Sequence, residues 1–353
     1  MAALTVTQLA DIGKTTLKNF KKLSFAMLAT ELQNYECMSH VLKKERADIV
    51  SGEQIRRDIL MDKDDNAQMV KLYQEDNVNI PNMMQYITVP WRHATTTWVY
   101  ERRELLMNRD PSRIQDLLKN RRIASMVSLA DVLENQFYHA PPSSADETEM
   151  FGLCYWITQS DTTGFNGANH TNFASGKGGI NSTTHSRWKN FTSKYASVTY
   201  TDLISNMREA FTKMKWMSPV DFPDIRRGKG QRYRNYAPYS VVSQIEDIGR
   251  GQNENLGPDV AEMDGRTVIR GHPIVWLPKL DDSAITNAPV YSVDYSHFHM
   301  GILKGDYLVE TGPQPWHNAV NTMFVKVDLT GNFYCTDLRK QAVHTTGADA
   351  DAT

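Results

Sequence analysis

Residues whose types and spacing suggest catalysis or ligand binding are scattered along this chain. Gly176 and Lys177 have the spacing that ends a phosphate-binding loop, but that motif needs a further glycine five positions before Gly176 and serine or threonine in place of Gly178. His297 and His299 are spaced to lie on one face of a strand, yet a structural zinc site needs two more ligands and no cysteine or histidine cluster adjoins them. These motifs predict neither a phosphate loop nor a metal centre.

Nucleophilic catalysis has an equally weak basis in the sequence. Cys154 lies in the apolar segment 151–158, which predicts a buried strand carrying an inert thiol rather than an activated nucleophile. The chain has neither the serine motif of the α/β-hydrolases nor a dinucleotide-binding glycine motif after a strand. One enzymatic alternative stays open: a soluble α+β enzyme in which the glycine-rich loop 160–186 covers a site that uses His170 or His185.

A basic segment around Tyr233 is the strongest candidate for contacts with another macromolecule. Its members are Arg226, Arg227, Lys229, Arg232, Tyr233 and Arg234. Arginine and tyrosine are favoured in protein interfaces as well as on nucleic acids, and the formal charge of −2 gives no electrostatic reason for tight binding to a polyanion. We therefore expect a protein interface here, with nucleic-acid binding as the alternative.

The composition predicts a globular protein with a substantial core. The 353 residues are 41% hydrophobic and 23% charged, which is enough for two or three folded units. Cys37, Cys154 and Cys335 are far apart, and residues 1–5 do not resemble the start of a signal peptide, so we expect free thiols and synthesis in the cytoplasm. No apolar run is long enough to cross a bilayer, and no motif indicates a cofactor.

The longest predicted element is a helix over residues 110–139. Asp110 suits the N-cap and Pro111 suits the first helical position. Apolar residues then recur at the spacing of one helical face: Ile114, Leu117, Leu118, Ile123, Met126, Val127, Ala130, Leu133 and Phe137. At about 1.5 Å per residue the rod would be about 45 Å long, which exceeds a typical globular helix.

Residues 52–103 predict an extended excursion before this helix. Apolar and polar residues alternate over 55–61, the tetrad 63–66 forms a polar turn, and 69–73 is expected to return as the second arm of a hairpin. A further extended stretch follows over 83–100, and its prolines keep it away from the centre of a sheet. Because a lone hairpin is only marginally stable in water, we expect the excursion to complete its packing on neighbouring copies; folding back onto its own domain is the alternative.

The rest of the chain alternates shorter predicted elements. Residues 1–51 predict a helical arm, helices are expected over 201–216 and around 241–248, and strands occupy most of 267–344. The helix 201–216 has its apolar residues on one side: Leu203, Ile204, Met207, Phe211 and Met214. Residues 160–186 are rich in Gly, Asn, Thr and Ser and predict a long loop, of a kind that is usually functional or ordered by a partner. Helices and strands in this mixture indicate the α+β class.

This order of parts resembles the major capsid protein of tailed bacteriophages, which has the Hong Kong ninety-seven capsid fold shared with encapsulin shells. Two segments carry the resemblance most clearly. Gly271-His272-Pro273-Ile274-Val275-Trp276 is similar to the family's Gly-x-Pro-Val/Ile-Val strand, and the run from Asn321 to Val343 is similar to its long closing strands. The resemblance extends from about Leu17 to Thr346.

The resemblance implies five parts of the capsid fold: an N-terminal arm over 1–51, an extended hairpin loop over 52–103, a peripheral domain over 104–217 with the long helix 110–139 as its spine, an axial domain over 218–300, and closing strands over 301–353. It also implies a shell of hexamers and pentamers that encloses double-stranded DNA without binding it specifically, in a virion assembled in the host cytoplasm. The implied partners are further copies of the chain, a separate scaffolding protein, a portal protein and, in some relatives, a decoration protein. No catalysis and no membrane are implied.

Contacts between subunits are expected at the turn of the hairpin and at the basic segment. The residues concerned are Lys63, Asp64, Asp65, Met69, Arg226, Arg227, Arg232, Tyr233 and Arg234. Encapsulins have the same fold and package an enzyme, so an encapsulin-like nanocompartment shell is the alternative function.

Overall fold

The computed structural model describes residues 41, 48–62, 66, 69–72, 83–107, 111–214, 233–253, 268–282, 285–317 and 319–347. Within these residues, the strands form a five-stranded sheet, a seven-stranded sheet and a two-stranded hairpin, and helices pack between and against them. The chain is therefore α+β, as the sequence predicts.

The strands are β1 (Asp48–Val50), β2 (Ile55–Leu60), β3 (Met84–Val89), β4 (Arg92–Glu101), β5 (Gly164–Gly167), β6 (Asn190–Lys194), β7 (Tyr233–Ala237), β8 (Val268–Ile269), β9 (His272–Trp276), β10 (Val290–Asp294), β11 (Phe298–Leu303), β12 (Val309–Trp316), β13 (Ala319–Cys335) and β14 (Ala342–Thr345). The helices are α1 (Arg102–Met107), α2 (Pro111–Tyr138), α3 (Leu153–Trp156), α4 (Leu203–Met214) and α5 (Tyr239–Asn253), with short 3-10 turns at Pro278–Asp281 and Leu338–Lys340.

Helix α2 confirms the long spine predicted from the sequence. It has 28 residues and is therefore about 42 Å long. Its described inward side chains are Leu118, Leu129, Leu133 and Phe137. The Phe137 ring meets the rings of Phe298 and Phe333 edge-on, at 5.7 and 5.4 Å between centroids, so the end of the spine is held in the main core. The predicted N-cap, Asp110, lies outside the described residues.

Strand β13 organises the five-stranded sheet. One edge pairs antiparallel with β4 from Thr322 to Gly331, and the other edge pairs with β12 and then β11. Strand β4 has β13 as its neighbour in this sheet, which agrees with the expectation that the prolines near it exclude a central position. Helix α2 packs alongside β4, where the hydroxyls of Thr96 and Ser125 lie 2.9 Å apart.

The hairpin has a different second arm from the one predicted. Strand β2 pairs antiparallel with β3, from Ile55 opposite Val89 to Leu60 opposite Met84, so the return strand is 84–89 and the prediction of 69–73 is wrong. This register places Ile55, Ile87 and Val89 on one face, and all three are buried in the main core. Met69, Val70 and Leu72 of the predicted arm are exposed instead, so the observed register is the one that buries apolar side chains.

The base of the excursion also packs on its own chain, contrary to the expectation that all of it depends on neighbouring copies. Besides the three inward hairpin residues, Trp98 and Tyr100 of β4 are buried with Leu118 of the spine. An excursion that contributes this many apolar side chains to the protein's own core is anchored before any partner binds.

The apolar segment 151–158 forms the short helix α3 instead of the predicted strand. Leu153, Tyr155 and Trp156 are all buried in it. A segment that is apolar on every side has no periodicity that distinguishes a strand from a helix. Gly152, just before α3, lies directly against the end of α2. A Cβ atom there would be 2.4 Å from the carbonyl oxygens of Gln136 and His139, so only glycine allows this close approach.

The seven-stranded sheet has the order β5-β6-β14-β10-β7-β9-β8. Helices α4 and α5, both predicted from the sequence, pack on it and form a second core. The predicted inward face of α4 is confirmed, because Leu203, Ile204, Met207, Phe211 and Met214 are buried. Strands of this sheet come from 164–194, from 233–294 and from the final β14, so three separated stretches of chain build one unit.

Candidate intersubunit surface

The β2–β3 hairpin has two faces of different character. Its inner face is the buried set of Ile55, Ile87 and Val89. Its outer face carries the Arg56 guanidinium over the Tyr86 ring, 4.0 Å from the ring centroid, beside the exposed Leu60 and Met84 side chains. The hairpin is therefore amphipathic, with an inner face that belongs to the protein and an outer face in solvent.

The connection between β2 and β3 contains an exposed apolar group, which we call the tip residues: Met69, Val70 and Leu72. Their exposed fractions are 99%, 53% and 85%. Contiguous exposed apolar side chains are a feature of surfaces that bind another protein, which makes this group a candidate contact. Met69 was among the predicted contact residues, whereas Lys63, Asp64 and Asp65 lie outside the described residues.

The basic segment is described only at its end. Arg226, Arg227 and Arg232 lie outside the described residues. The Tyr233 side chain is 2% exposed and packs between the rings of Phe211 and His272, at 5.4 and 5.1 Å between centroids, and burial raises its pKa. Arg234, next along β7, is partly buried. Alternation along a strand explains why these neighbours differ, and it places the tyrosine in the core of its own chain.

The glycine-rich loop 160–186 is folded onto the protein. It contains the short strand β5 and otherwise runs through turns and bends. Lys177 is 0% exposed, and its Nζ donates to Thr158 Oγ1 at 2.9 Å and to Asn190 Oδ1 at 3.1 Å. The lysine is thus occupied within the protein, which agrees with the rejection of a phosphate loop.

The histidines of the enzymatic alternative are integrated into the fold. His170 is buried, with its ring 6.2 Å from that of Tyr155 and 5.7 Å from that of Phe173. His185 Nδ1 lies 3.7 Å from Asp62 Oδ2, just beyond the end of β2. Both residues therefore serve contacts between the loop and its surroundings.

The other predicted chemical candidates have structural partners as well. His297 Nδ1 lies 3.2 Å from Thr336 Oγ1, and His299 Nε2 lies 3.0 Å from the Ser296 carbonyl oxygen; both rings are half-buried, as expected. Cys154 Sγ lies 3.5 Å from the Tyr291 hydroxyl. Throughout the described ranges, no group of three or more His, Cys, Asp or Glu side chains is placed to hold a metal ion.

A buried polar pair was missed by the sequence analysis. Ser193 Oγ on β6 lies 2.5 Å from His344 Nδ1 on β14, and both residues are fully buried in the seven-stranded sheet. Desolvation lowers the pKa of His344 to about 3, so the imidazole is neutral in the folded chain. The two residues are far apart in sequence, and only the parallel pairing of β6 with β14 joins them.

The helices of the described residues include none that is both long enough and apolar enough to span a membrane. In sequence comparisons, neither a protein-family model nor a curated protein matches this chain. The fold, in contrast, has many matches among solved structures.

Those matches extend over almost the whole chain. The capsid asymmetric unit of cyanophage A-1(L) matches with a TM-score of 0.62 and 11% identity, covering 93% of this chain and 97% of that chain. The capsid of an empty GTA particle matches with a TM-score of 0.56 and 13% identity, covering 93% and 95%. An encapsulin complex from Synechococcus elongatus matches with a TM-score of 0.50 and 10% identity, covering 99% and 97%. This chain therefore has the fold of the phage capsid proteins, the Hong Kong ninety-seven fold that its order of elements resembles.

Proposed function

We propose that this chain is the major capsid protein of a tailed phage, and that its copies assemble as hexamers and pentamers into an icosahedral shell around double-stranded DNA. The observation that carries the proposal is the phage capsid fold, which accounts for 93% of the chain in the match to the cyanophage capsid. A structural role also agrees with the side chains that were considered for chemistry, because Cys154, Lys177, His297 and His299 all contact other residues of the same chain. The protein then acts by assembly and not by catalysis.

The tip residues support the proposal because they leave apolar surface for a neighbouring copy. Burying a side chain the size of Leu72 or Met69 stabilises a contact by about 1.5–3 kcal/mol. Such contacts are weak singly, but each copy in a closed symmetric lattice makes several of them at once. A shell can then be stable although each interface is small.

The proposed contact surface includes charged residues beside these apolar ones. At the hairpin we assign it Lys63, Asp64, Asp65 and Met69, and at the basic segment Arg226, Arg227, Arg232 and Arg234. Tyr233 belongs to this set by sequence, but its burial gives it the role of holding β7 in the core. Pairs of opposite charge at the edge of an interface select the orientation of the partner more than they add affinity.

We propose a peripheral domain that contains the spine α2 and the five-stranded sheet, and an axial domain that contains the seven-stranded sheet. Strand β1 of the arm 1–51 and strand β4 of the excursion 52–103 belong to that five-stranded sheet, so in this division the β2–β3 hairpin is the part of the excursion outside the sheet. The boundaries expected from the sequence were 104–217, 218–300 and 301–353. Since β5, β6, α4 and β14 pack in the second core, we extend the axial domain to include them.

The proposal includes partners beyond further copies of the chain. A separate scaffolding protein, a portal protein and a decoration protein are expected from the capsid resemblance, with assembly in the host cytoplasm and the virion as final location. A formal charge of −2 suits a wall that encloses DNA without holding it, because binding to a polyanion depends on cationic groups.

Electron microscopy of the purified chain tests this function. Expressed with and without the scaffolding protein encoded beside it, the chain should form closed shells of regular diameter. Monodisperse monomers in both preparations, at all protein concentrations, would contradict the proposal.

An encapsulin shell is the second candidate, because the Synechococcus encapsulin complex also matches at a TM-score of 0.50. The two functions differ in what the shell contains. Particles isolated from the native producing cells should contain double-stranded DNA if the chain is a phage capsid protein. A protein cargo without DNA would favour the encapsulin function.

A further inference from the structure

The glycine-rich loop contacts the hairpin at two places, near its base on β3 and just beyond the far end of β2. On β3, the backbone N–H of Thr88 donates to the carbonyl oxygen of Gly178 at 3.0 Å. At the end of β2, Asp62 Oδ2 lies 3.7 Å from His185 Nδ1. The loop therefore supports the two-stranded ribbon near both of its ends, and an unsupported ribbon of two strands is only marginally stable.

Glycine is required for this close approach. A Cβ atom at Gly178 would lie 2.5 Å from Ile87 Cγ2, and one at Gly179 would lie 3.0 Å from Thr88 Oγ1. Both residues also have positive φ angles, of +61° and +82°. The sequence at these positions therefore lets the loop backbone lie directly on β3.

The buried side chain of Lys177 fixes the loop in this position. Besides the bonds from its Nζ to Thr158 and Asn190, its carbonyl oxygen accepts from Trp188 Nε1 at 3.1 Å. Gly178 N in turn donates to the Tyr155 hydroxyl at 2.9 Å. A buried lysine bonded in this way ties the loop to α3 and to β6, because the alternative is a desolvated ammonium group without acceptors.

We propose that residues 176–185 are an intramolecular strut that sets the direction in which the hairpin leaves the body, with Lys177 as its pin. This inference rests on the proposed function, because the direction of the hairpin determines where the tip residues meet a neighbouring copy. Gly178 and Gly179 are positioning residues for that contact and do not themselves touch the neighbour. Loosening the strut increases local opening of the hairpin, including its buried Ile55, Ile87 and Val89, while the rest of the two cores stays folded.

Matched glycine substitutions test the strut. Gly179→Ala and Gly271→Ala introduce the same methyl group at nearly the same φ, +82° and +83°, but only the first meets a neighbour within 4 Å. In amide hydrogen exchange of the unassembled chain, Gly179→Ala should speed exchange over 55–60 and 84–89 by about tenfold or more and leave β10 unchanged. Gly271→Ala should leave the hairpin unchanged.

Gly178→Ala is the stronger variant, and Lys177→Met removes the pin. Both should speed exchange in the hairpin more than in β10, and shells formed by Gly179→Ala should lose their regular diameter in electron microscopy. Hairpin exchange that equals the unsubstituted chain in Gly179→Ala, or that rises equally in β10, would overturn the strut. The exchange measurement needs no assembly, so a chain that forms no shells refutes the proposed function separately.

Discussion

The inner base of the hairpin excursion and its tip use apolar residues in opposite ways. At the base, Ile55, Ile87 and Val89 are buried in the main core of their own chain. At the tip, Met69 and Leu72 are 99% and 85% exposed. The same excursion thus buries apolar side chains in its own core at one place and leaves them exposed at another, where we propose the contact with a neighbouring copy. The difference shows that the anchoring of the excursion and its proposed assembly contact are separable properties.

The largest expected effect is on the base. Ile87→Ala removes a buried side chain between β3 and the glycine-rich loop and should lower the free energy of unfolding by about 2–5 kcal/mol. Chemical denaturation of the unassembled chain measures it. The neighbouring Tyr86→Ala, on the outer face, should cost less than about 1 kcal/mol. Equal losses in the two variants would show that the hairpin base is not part of the core.

Acid should destabilise the core that contains His344. His344 has a pKa of about 3 when folded, against an ordinary 6.5, so between these values the unfolded chain binds the extra proton. Stability should therefore fall as the pH falls from about 6.5 toward 3, by about 1.4 kcal/mol per pH unit from this residue. His344→Gln should have a shallower pH dependence in denaturation experiments.

Ser193→Ala is the control for this prediction. It removes the hydroxyl but keeps the imidazole buried, so most of the pH dependence should persist. If His344→Gln follows the same pH dependence as the unsubstituted chain, acid destabilisation originates elsewhere.

Substitution at the tip should weaken assembly and leave the stability of the single chain almost unchanged. Leu72→Asp removes apolar surface that is exposed in the single chain, so the free energy of unfolding should change by less than about 0.5 kcal/mol. The protein concentration needed for assembly should rise about tenfold or more, because the contact with the neighbour loses about 1.5–3 kcal/mol. Light scattering across a concentration series measures it. Lys71→Gln, beside it, keeps the apolar set and should assemble at a concentration close to that of the unsubstituted chain.

The smallest effect is expected at the ion pair between the spine and the start of α1. Arg121 Nη1 lies 2.7 Å from Glu104 Oε2, and this hydrogen bond lowers the pKa of Glu104. Both side chains are about one-third exposed, so Glu104→Gln should cost less than about 1 kcal/mol. The contribution is present above the ordinary carboxyl pKa and is lost as the pH falls through the lowered value. Denaturation at low and high salt should show the difference shrinking with salt.

The long helices α2 and α4 were predicted correctly from the sequence. The Pro111 start and the apolar recurrence predicted α2, and the inward face of α4 was correct in every residue named. Helical periodicity survives in such segments because one side faces solvent. Where a segment is apolar on all sides, as at 151–158, the same reasoning has no contrast to use and predicted a strand in place of α3.

The candidate surface was predictable only in part. Met69, Val70 and Leu72 were all assigned to the wrong hairpin arm, and the contact predicted at Met69 stays a prediction. Tyr233 was expected at an interface and lies in the core, since a tyrosine on a strand looks the same in sequence whichever face it occupies. No local signal indicates the Ser193–His344 pair, because its members meet through the pairing of distant strands.

By itself, the sequence determined the α+β class, the long helix α2 and the lack of a recognisable catalytic motif, because local periodicity, caps and composition decide these. Only the tertiary structure decided which strand closes the hairpin, which side chains it buries and where the glycine-rich loop supports it. Those outcomes depend on the register of strands and on packing between residues far apart in sequence, and register follows the pattern of burial in the finished core.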